Sequence, residues 1–368
     1  MKKKIFLSSS IKNEGYIPER SFFSSKNIGA FESKIESYLG DNKSVVALNS
    51  GTSAIHLALI LSKVTVGDIV LCQSSTFSAT ANPIIYQRAK PIFIDSEKDT
   101  WNICPEYLEK TIKKYIAKGK KPKAIIVVHL YGMPAKIEII KAIAEKYKII
   151  LIEDAAEALG SIYKGQKCGT FGDFGILSFN ENKIITTSGG GALICKNRED
   201  KQKAIFFATQ AREKSPHYQH SHIGYNYRMS NILAGIGRIQ MEVLEEYISL
   251  RRINNQFYQD LFKNIDGVEV LVEPSEDYFS NHWLSCILID EKKTKFSRED
   301  LRLKLLKDNI ESRPLWKPMH LQPVFKKCKY YGSNVSEKLF NKGLCLPSGS
   351  DLTKVDLQRI SMSINKLL

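Results

Sequence analysis

The sequence predicts an α/β protein on a mostly parallel sheet, followed by a smaller α+β unit, and three observations support this. From Val45 to Asp154, short apolar runs alternate with segments of helical period, the pattern of successive βα units. The apolar runs, such as AIIVVHL at 124–130, lack polar alternation, as strands covered by helices on both faces do. Past Ser230 this alternation gives way to a long helical stretch and then to a different mixture of strands and helices. The 368 residues exceed the ~100–200 of one typical domain. We therefore expect a large domain over 1–245 and a small C-terminal domain over 246–368.

The elements follow in order. VVAL (45–48) is a strand and SAIHLALILSK (53–63) its helix; DIVLC (68–72) precedes the helical ATANPIIYQRA (79–89); PIFID (91–95) precedes EYLEKTIKKYIAK (106–118). AIIVVHL leads to the helix KIEIIKAIAEKYK (136–148), and IILIED (149–154) is the next strand. Beyond Ser230, Ile232, Leu233, Ile236, Ile239, Val243 and Leu244 fall near helical spacing and predict one long amphipathic helix bridging to the second domain. That domain carries strand-like VEVLVE (268–273) and WLSCILID (283–290), a helix in SREDLRLKLLKDN (297–309) and a last helix near 353–368.

The formal charge is +15, from 54 Lys and Arg against 39 Asp and Glu, so an anionic partner has to be weighed. The densest basic run, KTIKKYIAKGKKPK (110–123), has seven lysines and no acid. It ends a helical pattern, where cations complement the helix dipole, so it reads as a solvated helix end and no nucleic-acid partner is expected. The seven cysteines are scattered and contain no Cys-x-x-Cys pair, the usage of a reducing cytoplasm. The apolar stretch within MKKKIFLSSS is too short for a signal peptide, and no run reaches membrane-spanning length. A cytoplasmic protein without stable membrane insertion is expected.

Three stretches could carry chemistry. In VVALNSGTSAIHLAL a strand ends at Leu48 and a helix begins near Ser53; the unpaired N–H groups of a helix start favour an anion. Gly51 allows close backbone approach, and Thr52 and Ser53 offer hydroxyls. The stretch is neither a Walker A loop nor a Gly-x-Gly-x-x-Gly fingerprint, and ordinary capping is an alternative. IILIEDAAEALGS delivers Glu153 and Asp154 to a strand end, where Asp154 could cap the next segment or hold a cationic ring nitrogen. FGILSFNENKIITTSGGGALI places Ser178 and Lys183 on a strand exit ahead of Gly189, Gly190 and Gly191. Such a lysine could form a Schiff base with a carbonyl cofactor or be a surface loop lysine. HYQHSH brings His217, His220 and His222 close in sequence; lacking a fourth ligand pattern, it predicts no metal.

Together these stretches, with TFSATANPI, VVHLYG, GYNYRMSN and RPLWKPMH, resemble the fold-type I pyridoxal-phosphate enzymes, which are aspartate aminotransferase-like. Within these, the chain is similar to the DegT/StrS sugar-nucleotide aminotransferases. NKIITTSGGG and ESRPLWKPMH resemble a narrower group that aminates a UDP-4-keto-6-deoxy-N-acetylhexosamine toward bacillosamine-type sugars.

The resemblance implies that Lys183 joins pyridoxal 5'-phosphate and moves protons, and that Asp154 pairs with its ring nitrogen. It implies phosphate contacts from Thr52 and Ser178 in a cup shaped by Gly51 and Ser53, and an aromatic, Phe77, over the ring. Asn226 would be a phosphate contact from a neighbouring subunit, making a homodimer with shared sites. Glu157 departs from relatives that carry His or Gln there, near the cofactor hydroxyl. Candidate substrate contacts are Asn27 and Ile28, in a segment shorter than usual, and Arg228, Arg313, Trp316, Lys317 and His320. Arg228 or Arg313 could pair with a glutamate carboxylate and Lys317 with a diphosphate. The implied reaction moves the amine of L-glutamate to C4 of a nucleotide-linked 4-keto-6-deoxy sugar, UDP-2-acetamido-2,6-dideoxy-4-ketohexose first, with dTDP- or GDP-linked sugars as alternatives. A related sugar dehydratase would carry His at position 183, and a non-catalytic protein on the same scaffold would not need Lys183, Asp154, Ser178 and Asn226 together.

Overall fold

The computed structural model of the protein describes Leu7, residues 26–40 and residues 43–367. Apart from Leu7, the MKKKIFLSSS start lies outside the described residues, as do Ser24 and Ser25. Helix α1 (Asn27–Leu39) leads into β1 (Ser44–Leu48) and α2 (Gly51–Leu61), then β2 (Ile69–Gln73), α3 (Ser78–Tyr86) and β3 (Lys90–Ile94). There follow α4 (Pro105–Ile116), β4 (Ala124–Val128), α5 (Ile137–Tyr147) and β5 (Ile150–Asp154). The short pair β6 (Ile162–Tyr163) and β7 (Gln166–Lys167) precedes β8 (Phe174–Ser178), β9 (Gly191–Cys195) and α6 (Arg198–Ala208).

The βα alternation is therefore present as expected. Eight strands form one sheet in the order β1-β9-β8-β5-β4-β2-β3 plus one strand from the C-terminal part. All neighbours are parallel except β9, which runs antiparallel to both β1 and β8. Four of this sheet's strands, β1, β2, β4 and β9, are buried at every residue, because helices cover both faces of the sheet and leave no position for a polar alternation.

Register decides where the site forms. Gly191, the first residue of β9, pairs with Leu48 at the end of β1 and with Ser178 at the end of β8. Val128 pairs with Asp154, and Asp154 with Ile176. The carboxyl ends of β1, β4, β5 and β8 thus converge, the place where open α/β sheets bind ligands.

Beyond Ser230 the one long helix expected is two, α7 (Asn231–Gln240) and α8 (Leu244–Phe262). The break falls at 241–243, where Glu242 takes the Lys34 ammonium of α1 at 2.5 Å. The C-terminal part adds β10 (Val268–Val270), β11 (Tyr278–Phe279), β12 (Ser285–Ile289), β13 (Arg313–Pro314), β14 (Lys329–Tyr331) and β15 (Gly343–Leu346). Its own sheet is antiparallel, β10-β12-β15-β13. Around it Tyr258, Phe262, Ile287, Leu301, Leu305, Leu344 and Ile360 form a separate core. Two strands of this part pair with strands from earlier in the chain: β14 extends the large sheet beside β3, and β11 pairs with β6. No helix among the described residues is long and apolar enough to cross a membrane.

The lysines of the basic run on α4 have local partners, Lys110 with Glu106 at 3.8 Å, Lys113 with Glu109 at 3.4 Å, and Lys114 over the Tyr331 ring.

Arg251 of α8 is fully buried and donates from Nη1 to the carbonyls of Trp283 (2.6 Å) and Ser348 (3.2 Å); burial pushes its pKa down to about 10. Arg251→Met fills the space but takes the donor from the Trp283 carbonyl and leaves Ser348 with Asn254 Nδ2 at 3.5 Å, so a loss of roughly 1–3 kcal/mol is expected in urea denaturation. An unchanged midpoint would show that the clamp contributes nothing.

Candidate active site

The converging strand ends enclose a cavity of about 290 Å³ lined by residues from both parts of the chain. One wall is the start of α2. The Ser50 hydroxyl accepts from Ser53 N–H (3.0 Å), and Ser53 Oγ donates to Asn49 Oδ1 (2.6 Å). Capping therefore consumes the Ser50 and Ser53 side chains and leaves the N–H groups of Gly51 and Thr52, which have no intrahelical acceptor. The approach is close: a Cβ on Gly51 would stand 3.3 Å from Ser178 Cβ, and one on Gly191 would collide with the Gly51 nitrogen. Gly51, Thr52 and Ser178 all line the cavity, making a backbone cup with hydroxyls at its rim.

The opposite wall is acidic. Adjacent residues of a strand face opposite ways, so Glu153 points away, accepting from His129 Nε2 (2.9 Å) and from the N–H groups of Gly169, Phe171 and Gly172. Asp154 lines the cavity; its carboxylate accepts from Thr80 Oγ1 (2.7 Å) and Ala156 N–H (3.2 Å). Burial raises the Asp154 pKa, against the pull of those bonds and of Lys183.

Lys183 sits in the turn between β8 and β9, with Nζ 3.6 Å from Glu157 Oε1 and 4.2 Å above the Trp283 ring. The Trp283 indole N–H donates to the Asn182 carbonyl (2.7 Å) and holds that turn. Glu157 is buried, and burial raises its pKa while Lys183 and the Tyr131 N–H lower it. The Tyr131 N–H donates to Glu157 Oε2 (2.7 Å), and the Tyr131 hydroxyl accepts from Trp316 N–H (2.7 Å). Tyr131 holds φ 56°, a left-handed conformation that a bulky residue adopts only when its surroundings enforce it. Trp316 reaches the cavity mouth from the C-terminal part, against Phe77, with ring centroids 5.3 Å apart.

These residues fit pyridoxal phosphate. The bare helix start suits a phosphate. Asp154 and Glu157 are two buried carboxyl groups beside one lysine, and a protonated ring nitrogen at Asp154 would offset the burial that disfavours its carboxylate.

The structure thus gathers Gly51, Thr52, Phe77, Asp154, Glu157, Ser178 and Lys183, with Ser53 behind the cup. Other candidates stand elsewhere. Asn27 is fully buried, its Oδ1 accepting from Arg238 and its Nδ2 donating to the Asn231 carbonyl; it ties α1 to α7 and offers nothing to a substrate. Arg228 is engaged with Glu32 and the Ala47 carbonyl. Arg313 is exposed on Glu311, and Lys317 is exposed outside the cavity lining. His320 bridges Ser74 Oγ (2.7 Å) and Glu337 (3.2 Å) and stacks on Tyr330. Asn226 is exposed and lines a separate hollow with Arg212, Tyr218 and His220. Among the described residues no His, Cys, Asp or Glu group could hold a metal ion. Sequence reasoning missed Thr80, Tyr131 and Trp283. Thr80 lay within TFSATANPI without a role, and Trp283 read as strand core.

The model of the DegT/DnrJ/EryC1/StrS aminotransferase family matches residues 15–365. The chain is 46% identical over 373 residues to a Bacillus subtilis (strain 168) protein named "Putative pyridoxal phosphate-dependent aminotransferase EpsN", covering 98% of this chain and 95% of the relative. It is 36% identical over 361 residues to the GDP-perosamine synthase of Escherichia coli O157:H7, covering 96% and 95%. The crystal structure of a DegT DnrJ EryC1 StrS aminotransferase from Brucella abortus superposes with a TM-score of 0.86 at 30% identity, over 94% of this chain and 90% of that one.

Proposed function

Because the chain belongs to the DegT/DnrJ/EryC1/StrS family of pyridoxal phosphate-dependent sugar aminotransferases, we propose that it moves the amine of L-glutamate to C4 of UDP-2-acetamido-2,6-dideoxy-4-ketohexose. The products are 2-oxoglutarate and a UDP-4-amino sugar of the bacillosamine type. One observation carries the amine-transfer reading: the Lys183 ammonium, the Asp154 carboxylate and the bare start of α2 open onto one cavity.

Bound pyridoxal phosphate supplies an electron sink for the bond broken at the amine-bearing carbon. The N–H groups of Gly51 and Thr52 and the Ser178 hydroxyl hold the phosphate. Asp154 holds the proton on the ring nitrogen. Lys183 Nζ takes the Cα proton of glutamate and, in the return half, delivers a proton to C4 of the sugar. Glu157, 3.6 Å away, holds the lysine toward this path. Phe77 and Trp316 narrow the mouth and exclude water. Asn226 lies outside its own cavity lining, which supports a phosphate contact made to a second copy and hence a homodimer. A cytoplasmic location fits the scattered cysteines without a Cys-x-x-Cys pair.

The relative named GDP-perosamine synthase favours a second reading, a GDP-linked keto sugar. Purified protein with pyridoxal phosphate and L-glutamate, incubated separately with the UDP-linked 4-keto sugar and a GDP-linked 4-keto-6-deoxyhexose, decides between them by mass spectrometry. A UDP-4-amino sugar is expected. Amination of the GDP sugar alone would replace the UDP reading; 2-oxoglutarate release without an aminated sugar would reject both.

A further inference from the structure

Three consecutive glycines close the Lys183 turn, and the fold accounts for two of them. A Cβ on Gly190 would collide with Thr187 Oγ1 and stand 2.6 Å from Met229 Cε; one on Gly191 would collide with the backbone of Ser50 and Gly51. Gly189 is different. Its φ lies outside the left-handed region, and a Cβ there would meet no atom within 4 Å. Neither backbone conformation nor packing requires glycine. The position is nevertheless fixed: its carbonyl accepts from Thr187 Oγ1 (2.8 Å), and the Phe179–Gly190 and Thr187–Phe179 backbone bonds flank it at 2.9 Å. It also lines the cavity that holds Lys183, Asp154 and Glu157.

We infer that Gly189 determines specificity by leaving room for the sugar ring of the nucleoside-diphosphate sugar, an inference that rests on the proposed function. The two amine-exchanging substrates differ in bulk. Glutamate is a short chain, whereas the sugar carries a ring, its substituents and a nucleotide past the reacting carbon. A Cβ at 189 meets no protein atom within 4 Å at the edge of this cavity, so the room a side chain fills there is taken from the larger substrate. The phosphate cup is built from Gly51, Thr52 and Ser178, and its close contact with β9 is made through Gly191, so the cofactor keeps its place.

The test uses full-length Gly189→Ala and Gly189→Val loaded with pyridoxal phosphate. Cofactor affinity is followed by absorbance titration, the glutamate half-reaction by single-turnover absorbance, and binding of the UDP- and GDP-linked 4-keto sugars by calorimetry. Cofactor affinity and glutamate turnover are expected to stay within about twofold of wild type. Affinity for the sugar that wild type binds falls about 10-fold for alanine and about 100-fold for valine, the range that a methylene or two commands in a shaped pocket. Variants that bind the sugar as tightly as wild type, or that lose cofactor affinity or glutamate turnover in parallel, overturn the inference alone. Wild type that binds neither sugar overturns it together with the substrate reading.

Discussion

Lys183→Ala is expected to lower amine transfer by about 10³–10⁴-fold, the upper range for loss of a positioned acid–base group. The cavity lining holds no second lysine and no histidine. Its other titratable side chains are Asp154 and Glu157, and the first is engaged with Thr80 and Ala156. His129 is fully buried with both ring nitrogens used, Nδ1 accepting from Ala135 N–H (3.0 Å) and Nε2 bonded to Glu153. Glu157 is the one group near enough to take over part of the proton movement, and that sets the residual rate. The loss is not one of folding. Removing the lysine leaves Glu157 beside no ammonium, but burial already favours its neutral form, and the Tyr131 N–H still reaches it. The variant is expected to melt within a few degrees of wild type. Single-turnover product analysis by mass spectrometry checks the prediction, and a rate near wild type would remove Lys183 from its role.

The reach of the sequence follows from what is local. Strands β1 to β5 were legible because burial on both faces writes a largely apolar run, Asp154 because it ends such a run, and Lys183 because it stands in the turn after another, ahead of three glycines. Sheet order was not legible: it depends on pairings such as Tyr330 with Phe93, far apart in the chain and without a local signature. Trp283 beneath Lys183 and Tyr131 beside Glu157 were lost for the same reason, since each is placed by contacts across more than twenty residues. Charge and proximity to a motif put Asn27, Arg228, Arg313, Lys317 and His320 forward as substrate contacts, and none of them lines the cavity that holds Lys183. An arginine or histidine looks the same in sequence whether it meets a substrate or, as Arg228 does, a buried glutamate of the same chain.

Asp154→Asn is expected to cost activity while stabilising the cofactor-free protein. The activity term is about 10²–10³-fold, the scale for removing one preorganised charge from a water-poor site, because an amide cannot hold the ring nitrogen protonated. The stability term has the opposite sign. Burial raises the pKa of both Asp154 and Glu157 in the folded chain. Between the unfolded carboxyl range and the raised folded value, the folded chain binds more protons, so stability falls as pH rises through that window. Asparagine removes one of the two buried acids and with it that fall. Its amide can be satisfied: Thr80 and Thr76 share a hydroxyl pair at 2.7 Å in which either atom can donate, so Thr80 can turn to accept from the new NH₂ while Ala156 N–H keeps its acceptor. The melting temperature of the cofactor-free variant should exceed wild type at pH 8, with the gap narrowing toward pH 5. Added pyridoxal phosphate should reverse the order, because only wild type gains the pairing of carboxylate with pyridinium. A variant that melts below wild type at pH 8 without cofactor would show that Asp154 is no burden to the fold. One that transaminates within fivefold of wild type would show that the ring nitrogen does not depend on it.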